Sequence, residues 1–453
     1  MSRAYKKILI ISILLALALT GCTAAETQPA TAVEEEPTMA PEEPTAAPTT
    51  EPVEEEVTLR FMFPEGAGRG PGFEAAIAAY KDIKPNVTIE TEIIPYNEYF
   101  DVLPVQFAGD DPADVVLIDS NNVVSYAYNE AISPLDDQFT EADIDDFLSS
   151  LVEQATYEGN MYAGPFFIST QGVFYNIDMF EAAGVEPPKT IEEAWTWPEY
   201  VEKVTQVVEH AENEGEKIWG VVYLNNPPHG TSWTLPVIRS NGEPGSPTFM
   251  ALSPDGTQVS GYLDTPDAME AYKFWQDLYL EYEFAPQADV PDAFPNEKAA
   301  TMISFSAWGS VLDNVFPDLN WGVMPIPYFE TPVVHASHFM PTVAAKSEYQ
   351  EEAKNFVKFL TSKEGFLAYY SVTSDLPART SLLKELEDLQ EPPLSIFKEE
   401  LLSIAYPAPG GRGGAIYSEL FGDLMVDIAK GADIQSAVSS TVEELDRQLE
   451  QFK

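Results

Sequence analysis

The chain carries four histidines, one cysteine and 74 acidic residues, and reactive chemistry is sought among these first. His335-x-x-His338 is the one close histidine pair. It lacks the glutamate of a His-Glu-x-x-His zinc site and lies in no helical pattern, so loop histidines are expected and no metal. Gly66-Ala-Gly68-Arg-Gly70-Pro-Gly72 lies between a strand pattern and a helix pattern, as a dinucleotide loop does. A Gly-x-Gly-x-x-Gly fingerprint would need glycine where Pro71 stands, and no Walker lysine follows. A turn that lets backbone approach a ligand is the better reading. No Gly-x-Ser-x-Gly elbow occurs. Glycoside cleavage needs only two well-placed carboxylates, and among so many acids no spacing singles out a pair. No cofactor is called for.

Cys22 is the chain's one cysteine, so the mature body holds no intramolecular disulfide and no Cys-based nucleophile. Its context is informative. Arg3, Lys6 and Lys7 form a positive start, and Ile8 to Leu19 is an apolar run broken only by Ser12. That run is shorter than the roughly 20 residues that span a bilayer, and it reads as a signal peptide over residues 1–22. Leu19-Thr20-Gly21-Cys22 resembles a bacterial lipobox, which implies lipid on Cys22. Residues 23–56 hold six Pro, seven Thr and ten Glu with no Lys, Arg or aromatic residue. Such a segment cannot bury enough apolar area to offset its ordering entropy, and it is expected to be a disordered tether reaching roughly 30 Å.

These residues need elements to position them. Val57–Phe63 alternates as a strand does, Phe73, Ile77 and Tyr80 mark a helix face, and Val87–Ile93 alternates again. Asn97 is placed to cap another helix that Pro104 should kink or end early. Asp114–Asp119 reads as a buried parallel strand. Later segments are richer in helix. Val201, Val204, Val208 and Ala211 form one stripe after Pro198, and Thr265-Pro266 opens another helix. Ser347-x-x-Gln350 has the form of a capping box, and Asp433 precedes a last helix. Strand and helix alternate, so the class is α/β. With 453 residues, 45 % hydrophobic, the chain has material for two lobes. Its formal charge is −50. Setting aside three leader cations and ten tether glutamates leaves −43 on residues 57–453. Phosphate binding needs Lys/Arg clusters, so nucleic acid and an anionic membrane face are excluded as partners.

The order of segments is similar to that of the family 1 extracellular solute-binding proteins of ABC importers, the group that includes maltose-binding protein. The resemblance covers residues 57–453. It is carried by Tyr80–Val87, by Phe107-Ala-Gly-Asp-Asp-Pro-Ala-Asp-Val115 and by Ala131-Ile-Ser-Pro-Leu-Asp136. Tyr157-Glu-Gly-Asn-Met-Tyr-Ala-Gly-Pro165 with Phe174-Tyr-Asn-Ile-Asp-Met-Phe180 is its most diagnostic stretch. Asn296-Glu-Lys-Ala-Ala-Thr-Met302 followed by Trp308 completes it. Three positions depart from the pattern: Asn296-Glu297 replaces a glycine turn, Ile177 stands for lysine, and Phe63 stands where many sugar binders carry tryptophan.

The resemblance implies a two-lobe periplasmic-binding fold with a hinge and a cleft. It places residues 57–165 and 335–375 in the N-terminal lobe, and 166–334 and 376–453 in the C-terminal lobe. It implies a monomeric, non-enzymatic receptor that closes on a mono- or oligosaccharide and delivers it to ABC permease transmembrane subunits. The receptor would be held by its lipid at the outer face of the bacterial membrane. Another polar solute (glycerol phosphate, a polyamine or a peptide) is the alternative ligand. A surface-anchored carbohydrate-active enzyme and a signalling lipoprotein are the alternative roles.

Sugars offer apolar C–H faces and many hydroxyls, so aromatic platforms and hydrogen-bonding side chains should hold them. Family position selects Trp308 as a stacking residue, Tyr417 as an aromatic brought into the cleft, and Ser169 and Gln171 as polar contacts after the first crossover. Trp233 stands in an apparent loop among His229, Gly230, Thr231 and Ser232. Arg412 lies in the loop Gly410–Gly414, suited to hydroxyls or a carboxylate. Phe63, Glu65, Asp119 and Ser120 follow strands at the edge where α/β folds bind ligands. Trp195, Trp197, Trp275 and Trp321 are assigned to packing.

Overall fold

The structure is a computed structural model that describes residues 55–66, 68–212, 217–336, 339–373 and 375–453. All of them fall in one compact unit. Cys22, the signal-peptide reading, almost all of the tether, His338 and Ser374 lie outside the described residues.

Two four-stranded sheets organise the chain. The first holds β1 (Val57–Pro64), β2 (Val87–Ile94), β3 (Val115–Asp119) and a strand from far along the chain, Phe339–Val343. β1 is central and parallel to both β2 and β3, while Phe339–Val343 runs antiparallel to β3, pairing Phe339 with Asp119. Three parallel strands therefore end together at Pro64, Ile94 and Asp119. The second sheet holds β4 (Gln171–Asn176), β5 (Trp219–Val222), β6 (Ala299–Phe305) and β7 (Trp321–Met324) in the order β7-β4-β6-β5. β5 and β6 are parallel, and β4 is antiparallel to both β6 and β7. The start of β4 and the ends of β5 and β6 consequently share one edge. The strand at the far end of the first sheet is β8.

Two aromatic-rich cores fill the interior: the first surrounds the first sheet and extends over one face of the second through Phe174, Val222, Met302 and Val323, and the second covers that sheet's other face. Around the first, Phe61 and Phe63 meet Phe73 of helix α1 (Arg69–Ile83), with Phe356 and Tyr369 behind. Around the second, Trp197, Tyr200, Tyr272 and Trp275 are buried, and Trp275 donates its indole N–H to the carbonyl of Met425 at 3.0 Å. Burying such side chains contributes on the order of 2–3 kcal/mol each before entropy is counted. The chain enters the second core between β3 and β4 and returns to the first at β8. It stays there through helix Leu394–Ser403, which buries Ile396, Phe397 and Leu401 in the first core, and helix Gly414–Ala429 then buries Tyr417, Phe421 and Met425 in the second. Short strand pairs mark these passages: Phe167–Ile168 lies antiparallel to Leu376–Pro377, and Val334–His335 parallel to Ala405–Tyr406. The molecule is an α/β protein of two lobes.

Local readings mostly hold where caps and periodicity agree. Asp433 accepts from Ser436 N–H at 3.0 Å and starts Ile434–Leu449, which buries Val438, Val442, Leu445 and Leu449. Two differ. Helix α2 (Tyr96–Ala108) continues through Pro104 instead of ending early. Tyr99 and Leu103 are buried beneath it, and the Tyr99 hydroxyl donates to the Leu117 carbonyl at 2.6 Å, so packing outweighs the lost N–H. Ser347 does not cap helix Gln350–Thr361: Tyr349 stands at the cap position, and the Ser347 hydroxyl accepts from Tyr349 N–H at 3.1 Å while donating to Asp114 at 2.5 Å, 233 positions away. Among the described residues no helix is long and apolar enough to cross a membrane, and no cluster of three or more His, Cys, Asp or Glu is placed to hold a metal.

Candidate functional site

The first edge is built by the ends of β1, β2 and β3. Glu65 follows β1 and is exposed, its backbone N–H held by the Ile94 carbonyl at 2.7 Å. Gly68, at φ 71°, turns the chain into α1. Arg69 is buried; its Nη1 donates to the Pro64 carbonyl at 3.0 Å, and its guanidinium lies 5.1 Å and 5.7 Å from the ring centres of Phe339 and Phe167. The glycine loop is thus pinned by its own arginine. Asp119 ends β3, partly buried, and its Oδ1 accepts from Asn121 N–H at 3.0 Å. Burial pushes its carboxyl up to about 6 against the lowering effect of Asn121. Ser120 is buried, and among the described residues neither its hydroxyl nor the buried side-chain oxygen of Asn121 has a partner. Tyr96, directly after Pro95, is 49 % exposed beside Phe100 and Phe339. Such an aromatic ring at a strand-end edge was not singled out from the sequence; the signal was an aromatic residue straight after a strand-ending proline.

The second edge follows directly. Phe167, under Arg69, leads into Ser169, whose hydroxyl lies 3.2 Å from that of Ser306. Among the described residues the buried Thr170 hydroxyl, Gln171 amide nitrogen and Ser304 hydroxyl have no partner. Leaving such groups dry costs on the order of 1–3 kcal/mol each, so their places at the start of β4 and the end of β6, Gln171 on one face and Thr170 and Ser304 on the other, suit water or a hydroxyl-rich ligand. Trp233 sits in the first turn of helix Thr231–Arg239, not in a loop, and its ring contacts Phe305 at 4.4 Å and Tyr223 at 6.3 Å. Trp308 opens helix Trp308–Val315 and lines a cavity of about 340 Å³ with Tyr223, Leu224, Asp289, Asp292 and Phe294. Ser169, Gln171, Trp233 and Trp308 are therefore gathered on one edge. Tyr223, Phe305 and the Asp289–Asp292 loop were missed, because only the β4-β6-β5 order brings them there.

Three expected contacts sit elsewhere. Phe63 is fully buried between Phe61 and Phe73. Strand alternation puts residues 61 and 63 on the same face, and that face is covered by α1. Tyr417 is 1 % exposed; it stacks on Phe421 one turn later and donates to the Ala251 carbonyl at 3.1 Å, so the inward face of its helix carries it into the core. Arg412 spends its donors on protein: Tyr157 Oη at 3.0 Å, Glu158 at 3.4 Å and the Phe452 carbonyl at 3.4 Å. The four packing tryptophans lie as expected, Trp197 and Trp275 fully buried and Trp195 and Trp321 partly so.

Comparison with known proteins accords with this architecture. A putative binding protein of Brucella abortus (strain 2308) is 24 % identical over 351 residues, 70 % of this chain and 80 % of that one. The maltotriose-binding protein of Pyrococcus abyssi is 23 % identical over 391 residues, covering 82 % and 78 %. The GacH receptor of Streptomyces glaucescens, whose structures are known unliganded and with acarbose, superposes with a TM-score of 0.72 at 21 % identity, over 87 % of this chain and 99 % of that one. Residues 75–395 match the bacterial extracellular solute-binding protein family. With two sheets in an α/β architecture and a match over most of its length, the chain belongs to that family.

Proposed function

We propose that this protein is the receptor of an ABC importer and captures a carbohydrate between its two lobes. The observation that carries the proposal is the second edge. Trp308 lines a cavity, Trp233 packs against Phe305 at the same edge, and buried hydroxyl and amide groups there have no partner among the described residues. Apolar faces flanked by unsatisfied polar groups are the complement of a sugar. Relatives that bind maltotriose and acarbose support the same class. Asp119, Ser120, Glu65 and Tyr96 supply polar and aromatic contacts from the first edge, and Ser169 and Gln171 from the second. Phe63, Tyr417 and Arg412 are not among the contacts.

The lobes divide at residues 57–165 with 335–375 and 166–334 with 376–453. The strand pairs at Phe167–Ile168 and Val334–His335 act as hinges, so closure buries the solute and presents a closed surface to the permease. No bond is made or broken. The monomer is exported, Cys22 receives lipid, and residues 23–56 tether the body to the outer face of the membrane, raising its concentration near the importer.

The test is calorimetric titration of the full chain with gluco-, arabino- and chito-oligosaccharides. Binding of one sugar family, weakened at least tenfold by Trp308→Ala without product formation, is expected. Sugar turnover would move the protein to the enzymes. Binding of a polyamine or peptide with no sugar response would overturn the ligand. Labelled-lipid incorporation lost in Cys22→Ser tests the anchor.

A further inference from the structure

Arg412 bridges the two cores at a point far along the chain from its partners. Its loop is fixed to the second core: a β-carbon on Gly413 would lie 2.2 Å from Leu449 and 3.1 Å from the Phe452 ring, so the backbone is pressed against the last helix. From there the guanidinium reaches the first core. It lies 4.7 Å from the ring centre of Tyr128 and 5.6 Å from that of Tyr157, and donates to the Tyr157 hydroxyl and Glu158. Tyr128 belongs to the helix that buries Val123 and Ala127 in the first core, and Tyr157 packs against the same core. Phe452 completes the contact edge-on to Tyr128 at 6.1 Å. The neighbouring glycines allow this approach. A β-carbon on Gly414 would be 2.8 Å from the carbonyl oxygen of Asn121, which adjoins the unpartnered Ser120 at the first edge.

We infer that Arg412 is an interlobe latch: a positioning residue whose stacking between Tyr128 and Tyr157 holds the lobes closed, so that it sets solute retention without touching the solute. The inference rests on the closing two-lobe receptor proposed above. A guanidinium suits the task, being planar, permanently charged and able to stack and donate at once. Separation of the lobes removes both rings and Glu158 from it in one step, while its bond to Phe452 stays within its own lobe.

The test uses the full chain and three variants, Arg412→Ala, Arg412→Lys and Tyr128→Leu. Small-angle scattering reads lobe separation without ligand, and stopped-flow fluorescence reads dissociation of whichever oligosaccharide the titrations identify. Arg412→Ala and Tyr128→Leu should each shift scattering toward the open form or speed dissociation about tenfold, the size of a partly desolvated cation–π contact. Arg412→Lys should fall between. Trp308→Ala should weaken binding with scattering unchanged. The latch is overturned if Tyr128→Leu alters neither readout, because an effect confined to Arg412 would mean direct solute contact. Scattering needs no ligand, so a receptor that binds no sugar leaves this test intact and fails only the carbohydrate reading.

Discussion

Replacing Asp119 by asparagine should stabilise the protein at neutral pH and yet weaken solute binding. Asp119 is held at about 6 against an ordinary 3.8, chiefly by burial. The folded state therefore binds a proton more tightly than the unfolded chain does. Between those two values stability falls as pH rises, and above about 6 the ionised carboxylate costs the fold about 3 kcal/mol. Asparagine keeps an oxygen for the Asn121 N–H but carries no charge to desolvate. Urea unfolding of wild type and Asp119→Asn from pH 4 to pH 8 isolates this contribution as a difference curve. The expected curve is near zero at pH 4 and rises through pH 6. It then plateaus in favour of the variant, on the order of 2 kcal/mol once lost solvation is replaced imperfectly. Solute affinity should move the other way. A carboxylate accepts strongly from hydroxyls, so wild-type binding should weaken as pH falls through about 6 while the variant's stays flat. A variant less stable than wild type at pH 7.5, or a difference that does not vary with pH, would refute the argument. Stability spent at a strand-end edge is what a binding residue, rather than a packing residue, is expected to show.

Other perturbations separate site from scaffold. Trp308 is half-buried against the first core, so Trp308→Ala should lower the urea midpoint somewhat, and it should lower solute affinity ten- to a hundredfold, read by calorimetry. Gly172→Ala places a β-carbon 2.6 Å from the Phe397 ring and 2.9 Å from Val323; overpacking of about 1–3 kcal/mol should lower the urea midpoint. Arg379 is buried over Phe147 and donates to both Asp143 and Asp146 at 3.0 Å. Arg379→Ala should cost about 2–4 kcal/mol by the same assay, since two carboxylates and the Thr361 carbonyl lose their donor together. Glu400 is buried, one oxygen accepting from Ile326 N–H and the other without a partner among the described residues, and burial pushes its carboxyl far up. Glu400→Gln should thus stabilise the protein at pH 8 and do little at pH 4.

Much was legible along the chain because it is local. Alternation at Val57–Phe63 and Val87–Ile93, the apolar run at Asp114–Asp119 and the cap at Asp433 are set by neighbours within a few residues. The diagnostic segments from Tyr157 to Phe180 sufficed for the family. The direction in which a side chain points was less legible. Phe63 and Tyr417 were assigned to the cleft by position, and a covering helix and an inward helix face took them into cores. Trp233, Trp308, Ser169 and Gln171 did arrive at one edge, and the strand order β4-β6-β5 put them there. Tyr223, Phe305 and the Asp289–Asp292 loop joined them through pairings across many tens of residues. Arg412 shows the limit most clearly. Its type and glycine-rich setting announced a binding role, and its partners are Tyr128 and Tyr157, more than 250 positions earlier. Sequence by itself determined the elements, the class and the residue chemistry, because those depend on local sterics and periodicity. Which ring each charged group meets was decided only by tertiary structure, because loop closure and packing of two separate cores bring distant residues together.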